Sequence, residues 1–410
     1  MRTKKRIAVL APDLSEHGGV QSIVEMVVHL IEQSDRYECR IISLGTSASD
    51  PTSVRLCKPA TWFRGVRTES REWRGRKIMH LGCWLSEFEF MRYRPRRALS
   101  ILLEDCDLVQ VIGGFPAWGA SVASNTVPVV NWAATRCLWE RSTLLQSPHS
   151  AKALWRRFMT LLVDRIDVRA VSHADKFMVM NPLMREFAIR GIGKPESDVI
   201  DAPPGVNTDF FAPSTISSSE RLESDYILSV GRLGDSRKNP ELLLDAFILV
   251  RDAVGTDIRL VLAGATAPDA AFWEKVERAG VRDWVSFRAS PSQDELRALY
   301  QGAICLALSS NEEGFGMVLV EAMACATPVV ATRCGGPEGI VTDGCDGFLV
   351  AVGDARALAT RLELLVRDRE IRGALGLGAR QTALQRFSEM ESGKKFLRVW
   401  GELLGVTDGK

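Results

Sequence analysis

The sequence predicts an α/β protein built from two doubly wound parallel-sheet domains. Short β-rich apolar runs alternate with longer amphipathic stretches along almost the whole chain, the pattern of parallel strands joined by crossover helices. Ten such runs in 410 residues are too many for one small domain. A single long Pro/Gly/Ser-rich stretch near mid-chain, Ala202-Pro-Pro-Gly205 and then residues 211–219, leaves two α/β halves of similar size.

Each element has its own warrant. Ile7–Leu10 is the first strand. The basic residues before it look like a signal-peptide n-region, but the apolar run stops at Pro12-Asp13, short of the roughly 7–15 residues an h-region needs. The helix Val20–Gln33 follows, then the strands Cys39–Leu44, Leu108–Ile112, Val127–Asn131 and Phe177–Met180. Beyond the seam come Tyr226–Val230, Ile258–Ala263, Trp284–Phe287, Ile304–Leu308 and Pro328–Ala331. Amphipathic segments Pro240–Val254, Asp294–Gln301 and Gly316–Cys325 lie between these strands, and Ser388–Leu404 forms a terminal helix with Phe396, Val399, Trp400, Leu403 and Leu404 on one side. In sheets of this kind ligands sit at the carboxyl ends of the strands.

Composition narrows the function. Apolar residues make up 46% and charged residues 25%, enough for a core and far from a disordered chain. The net charge of +1 argues against a dedicated nucleic-acid binder, which needs a strong basic excess. No run of about 18 apolar residues occurs. The nine Cys include no C-x-x-C pair, which suggests reduced thiols and a cytosolic setting, or the cytosolic side of a membrane. The five His are scattered and support no metal site.

Three constellations carry chemistry. His17-Gly18-Gly19-Val20-Gln21 follows the first strand and opens a helix, where glycines admit a ligand close to the backbone and helix N–H groups favour anions. It is not G-x-G-x-x-G, so a nicotinamide enzyme is disfavoured, and a plain tight turn explains it equally well. The second, Gly231-Arg-Leu-Gly-Asp-Ser-Arg-Lys-Asn-Pro240, places Arg232 and Lys238 on a loop at a strand's carboxyl end. Arg offers a planar fork and Lys a point charge to phosphate oxygens, although a solvated basic loop is the commoner fate of such a pair. The third is Glu313-Gly-Phe-Gly-Met-Val-Leu-Val-Glu321. Glu313 falls in a loop, Glu321 about a turn inside a helix, and the Gly-Phe-Gly backbone between them can present N–H groups to an anion. A carboxylate is a natural acceptor for a vicinal diol, through charge-assisted hydrogen bonds of roughly 1.5–3 kcal/mol each.

Gly-Gly-Val-Gln (18–21), Pro-Gly-Val-Asn-Thr-Asp-Phe-Phe (204–211), G-R-x(5)-K-N-P (231–240) and E-G-F-G-x(4)-E (313–321) occur here in the order that resembles glycosyltransferase family 4. The continuation Ala322–Ala331 and Gly335-Gly-Pro-Glu338 extends the resemblance, which is specific in the second half and looser in the first. It implies a retaining, nucleotide-sugar-dependent glycosyltransferase of the GT-B fold: two Rossmann-like domains, an interdomain cleft, and a C-terminal helix crossing back to the first domain. The expected domains are 1–203 for the acceptor, 204–386 for the nucleotide sugar, and 387–410 for the crossing helix.

By the same resemblance, Arg232 and Lys238 hold the donor diphosphate and Glu313 with Gly314, Phe315 and Gly316 addresses the sugar. Glu321 binds the ribose, Gly18 and Gly19 close on the diphosphate, and Arg288 contacts the base. No metal or other cofactor is expected, since two cations and a helix N-terminus can stabilise the leaving diphosphate. Two nearby Glu also suit a glycosidase, but the basic loop argues against that.

Many members of the family carry a His in the first domain, where this chain reads Asn131-Trp-Ala-Ala-Thr-Arg136. Thr135, Arg136 and Glu140 are the candidates to substitute. His173 reads as a packing or helix-end residue, and Asp105-Cys106-Asp107 as loop punctuation despite its likeness to a D-x-D metal motif. The window 55–97 holds 12 Lys/Arg against four Glu, interleaved with aromatics. It reads as a docking face for an anionic membrane, as a nucleic-acid groove, which the overall neutrality disfavours, or as a solvated helix face with core aromatics. The favoured acceptor is a hydroxyl on a glycan or lipid carrier in cell-surface polysaccharide or glycolipid synthesis. A soluble aglycone and a sugar-nucleotide-binding subunit without turnover are the alternatives.

Overall fold

The computed structural model describes residues 4–15, 19–124, 126–142, 150–214, 225–255 and 257–406. The chain divides into two compact units, one of Met1–Pro203 with Gly393–Lys410 and the other of Pro204–Ser392.

The first unit holds an eight-stranded sheet in the order β3-β4-β2-β1-β5-β6-β7-β8. Its strands are β1 Lys5–Pro12, β2 Tyr37–Leu44, β3 Thr68–Trp73, β4 Arg76–Leu81, β5 Leu108–Gly113, β6 Val129–Ala133, β7 Lys176–Val179 and β8 Val199–Asp201. Only β3 runs antiparallel, as the edge of a hairpin with β4. The central strands are buried on both faces, so they read as continuous apolar runs such as Ile7–Leu10. Sequence order reverses between β1 and β5, and the helix Gly19–Glu32 starts beside that point.

The basic window 55–97 is neither one helix nor one open surface. Its middle forms the β3–β4 hairpin, and Trp73 and Tyr93 lie in the core. Several of its cations serve the fold. Arg76 forks onto Glu32 with two bonds of 2.7 Å, Arg74 pairs with Glu25, and Arg96 donates to the carbonyls of Gly82 and Arg92. Asp105 and Asp107 are likewise structural. Asp105 takes Arg6 and Arg40, while Asp107 accepts the Arg6 N–H at 2.8 Å and the Lys5 ammonium at 3.2 Å.

The terminal helix Glu389–Leu404 belongs to both units along its length, and its last turns complete the first unit's core. Phe396 and Trp400 are fully buried there. Trp400 stacks edge-on against Tyr37 at 5.7 Å and donates its indole N–H to Gln110 of β5 at 2.9 Å. Phe396 lies 6.3 Å from Trp132, whose own N–H reaches the Ala202 carbonyl at 2.7 Å. Glu402 pairs with Lys176 at 2.8 Å.

The second unit carries a six-stranded parallel sheet in the order β11-β10-β9-β12-β13-β14. These strands are β9 Tyr226–Val230, β10 Arg259–Gly264, β11 Val285–Ala289, β12 Cys305–Leu308, β13 Val329–Thr332 and β14 Gly347–Val350. The chain winds outward from β9 to β11, then returns past β9 to build β12 through β14. The switch point therefore lies between β9 and β12, where the carboxyl-end loops part and leave a crevice. Helix Pro240–Val254 packs Leu243, Phe247 and Val250 into the core, begins on a Pro in its first turn, and ends at Gly255 in the left-handed region.

Candidate active site

The loops that leave β9 and β12 meet at this switch point. After β9, residues 231–240 turn so that Asn239 takes a left-handed φ of 44° and caps the next helix by accepting the Leu242 N–H at 3.2 Å. After β12, Ser309 donates its hydroxyl to the carbonyls of Lys238 and Asn239 at 3.0 and 2.9 Å. Asn311 donates its backbone N–H to the Arg237 carbonyl at 2.7 Å and accepts from the Asn239 amide at 3.0 Å. Four bonds thus tie the basic loop to the acidic one.

Across this seam the Lys238 ammonium bonds the Glu313 carboxylate, with both side chains about four-fifths buried. Glu313 is fixed from the other side as well. Its N–H donates to the Cys334 carbonyl at 3.1 Å, and its own carbonyl accepts from Gly336 at 2.8 Å. A Cβ at Gly336 would collide with the Phe315 carbonyl, so only glycine allows the loop after β13 to approach this closely. Burial pushes the neighbouring Cys334 thiol up to about 12, with Glu313 and Glu338 adding to the shift.

Arg232 is exposed on the same loop, and its guanidinium makes no hydrogen bond or ion pair among the described residues; its carbonyl accepts the Asp235 N–H at 2.9 Å. Arg237 is different, since its guanidinium folds back onto Asp235 at 2.7 Å. The charge available to a ligand therefore comes from Arg232 and Lys238. Gly316 turns the chain at φ 103° into the helix Met317–Ala324, whose first N–H groups open on this crevice loop. Phe315 sends its ring into the core, where it packs edge-on against Phe387 at 5.9 Å, so the ring itself does not face a ligand.

Glu321 sits one turn into that helix and accepts the Tyr300 hydroxyl at 2.7 Å. Burial raises the Glu321 carboxyl above its ordinary value, and the Tyr300 bond partly opposes that rise. Tyr300, on the helix Gln293–Gly302, was not evident in the sequence as a site residue; an aromatic 21 positions from its partner leaves no motif. Arg288 lies within the edge strand β11 rather than after it, exposed and facing Glu295 electrostatically. Gly19 is the first residue of its helix with open space about its Cα, and Gly18 lies outside the described residues.

Two of the three candidates for the missing first-domain His, Arg136 and Thr135, have identifiable partners. Arg136 forks onto Asp164, one bond at 2.7 Å, and lies over the Phe187 ring at 4.4 Å, so it is committed to the fold. Thr135 holds the end of β6 by donating its N–H to the Gly114 carbonyl at 3.0 Å. His173 ends its helix with a Nδ1 bond to the Arg169 carbonyl at 2.8 Å. Among the described residues no group of three or more His, Cys, Asp or Glu is arranged to hold a metal, and no helix is long and apolar enough to cross a membrane.

Comparisons with known proteins point to one family and one fold. The family described as glycosyl transferases group 1 matches residues 214–382. The chain is 34% identical over 209 residues to the putative glycosyltransferase EpsD of Bacillus subtilis, covering 49% of this chain and 54% of that one. It is 32% identical over 255 residues to D-inositol 3-phosphate glycosyltransferase of Corynebacterium diphtheriae, covering 59% and 57%. The chain thus spans about half the length of the curated relatives it matches. Among solved structures, sucrose-phosphate synthase of Thermosynechococcus elongatus superimposes with a TM-score of 0.71 at 18% identity, over 98% of this chain and all of that one. WaaG, titled a glycosyltransferase of lipopolysaccharide biosynthesis, gives 0.66 at 17%, over 98% and 100%. Both likenesses are of fold, and the fold is GT-B. Residues 214–382, which hold the loops of the candidate site, match the family described as glycosyl transferases group 1.

Proposed function

We propose that this protein transfers a sugar from a nucleoside-diphosphate donor to a hydroxyl acceptor, with retention of the anomeric configuration. The observation that carries the reading is the Lys238–Glu313 pair at the switch point of the second sheet, with Arg232 exposed beside it. A diphosphate entering there draws Lys238 and Arg232 onto its oxygens and neutralises the charge that builds as the glycosidic bond breaks. Lys238 then exchanges one carboxylate for phosphate, and Glu313 is left to accept hydrogen bonds from the donor sugar. Glu321, held by Tyr300, accepts from the ribose hydroxyls, and Arg288 lies against the base. The acceptor attacks from the face the leaving phosphate occupies, and that phosphate takes the acceptor's proton. Two protein cations and the Met317 helix N-terminus carry the developing charge, so the step runs without a metal.

Structures of similar fold were solved with UDP and with UDP-glucose, which supports a nucleotide-sugar donor. The acceptor we favour is a glycan or lipid-linked hydroxyl of cell-surface polymer synthesis, in keeping with the names of EpsD and WaaG. Relatives named D-inositol 3-phosphate glycosyltransferase favour a second reading, a small soluble polar acceptor.

The test is nucleoside-diphosphate release from UDP-, GDP-, dTDP- and ADP-sugars, with EDTA present, by the wild type, Lys238→Ala and Glu313→Ala. Slow hydrolysis of one donor, lost in both variants and indifferent to EDTA, is the expected result. No turnover together with no calorimetric binding of any donor would overturn the proposal.

A further inference from the structure

The helix Ala151–His173 of the first unit presents two apolar faces, and only one is buried. Met159, Val163, Ala170 and Val171 point into the core. Leu154, Trp155, Phe158 and Leu161 stand 45–58% exposed on the opposite side. Trp155 gathers the aromatic part of this face, with Phe88 at 5.8 Å and Phe158 at 6.2 Å. A soluble chain rarely leaves so many large apolar side chains together in water without a use for them.

The same face continues in charge. At 3.6 residues per turn, Arg165 and Arg169 stand directly below Leu154, Phe158 and Leu161, one and two turns further along. They line a groove of about 800 Å³ with Phe90, Arg94, Leu162 and Ile166. Arg94, Arg165 and Arg169 have no carboxylate partner among the described residues, whereas the helix's own Asp164 is spent on Arg136 and Asp167 is buried. An apolar wedge with aromatic edges, followed after about one turn by unpaired guanidiniums, matches the depth profile of a lipid leaflet, from acyl boundary to phosphate headgroups. A water-soluble partner would pair the arginines but has no evident need of the wedge. A second copy of this chain would bring three like-charged arginines to the interface.

We infer that this face docks the protein on an anionic lipid bilayer, with Trp155 and Phe158 entering the headgroup–acyl boundary and Arg94, Arg165 and Arg169 binding lipid phosphates. The inference extends the lipid-linked side of the proposed function. It is tested without turnover, so it can fail while sugar transfer stands.

The experiment is sedimentation of the full chain with vesicles of phosphatidylcholine alone and with about 30% phosphatidylglycerol. Binding is expected to the anionic vesicles only, and to weaken as salt rises. Arg165→Ala/Arg169→Ala should lower the partition coefficient about tenfold or more, and Trp155→Ser/Phe158→Ser should lower it as far at every salt concentration. Both variants change exposed side chains, and unchanged far-UV circular dichroism and melting temperature will confirm that they fold. Tryptophan emission of the wild type should shift to the blue with anionic vesicles, and the shift should vanish in Trp155→Ser. Absence of vesicle binding by the wild type would overturn the inference. So would equal binding by both variants, or a concentration-dependent dimer abolished by Trp155→Ser/Phe158→Ser.

Discussion

Lys238 and Glu313 are bonded to each other, so under the proposed function a diphosphate that recruits the ammonium would also free the carboxylate for a sugar hydroxyl. The pair should therefore fail together. Lys238→Ala is expected to lower kcat by about 100-fold or more, the scale of losing one preorganised transition-state contact, and Glu313→Gln to fall nearly as far; the double variant should add little to either. Steady-state kinetics on the preferred donor decide this, and fully additive losses would mean that the two groups act apart. Glu321 gives a pH test. Burial raises its pKa and the Tyr300 hydroxyl lowers it, so Tyr300→Phe must raise it further. Ribose recognition as proposed here needs the carboxylate, so donor affinity is expected to fall as pH drops through the Glu321 pKa. The acid limb of the affinity profile should then move to higher pH in Tyr300→Phe, and superimposable profiles would exclude the positioning role.

Single elements are held by a few buried groups whose removal has predictable costs. Trp400→Ala removes a fully buried indole and leaves the Gln110 Oε1 without its donor, so it should cost about 3–5 kcal/mol. Met390, exposed on the same helix, serves as the control and should change stability by less than about 0.5 kcal/mol on truncation. Asp167 accepts the N–H groups of Ala117 and Cys137, both at 2.8 Å, and so pins two loops to the helix Ala151–His173. Burial pushes its carboxyl up to about 8. A raised carboxyl pKa contributes stability that is complete below the unfolded value near 4 and is lost as pH rises through about 8. Denaturant unfolding of Asp167→Asn should therefore show a flatter pH dependence across that window, and an unchanged slope would refute the assignment. The same scale shows where sequence reading succeeds. Tyr226–Val230 and Pro240–Val254 were legible to the residue because a buried parallel strand is continuously apolar and Asn-Pro opens a helix. The β3–β4 hairpin was not, since an edge strand reading Thr-Glu-Ser-Arg-Glu-Trp faces water and looks like a charged loop. At the site, spacing named Glu313, Lys238 and Glu321. It left unspecified the ring direction of Phe315 and the contribution of Tyr300, because both are set by packing between distant segments.

The two units should also be separable in a calorimeter. Each has its own sheet and core, so heat unfolding is expected to resolve into two transitions. The nucleoside diphosphate of the preferred donor should raise only the transition of the second unit, and Trp400→Ala should lower only that of the first. Equal movement of both transitions with either change would place the donor contacts or the terminal helix differently.

The first unit is discontinuous in the chain, with Phe396 and Trp400 of the terminal helix closing a core begun by the eight strands before Pro203. During synthesis the ribosome therefore delivers the eight strands of that sheet well before the segment carrying Phe396 and Trp400 emerges. At about 5–20 residues per second the delay is on the order of ten seconds or more. Throughout it, Tyr37, Gln110 and Trp132 lack the side chains that cover them in the finished protein. The nascent chain thus carries a waiting hydrophobic slot, and chaperone dependence should peak in this interval and end when the last helix docks.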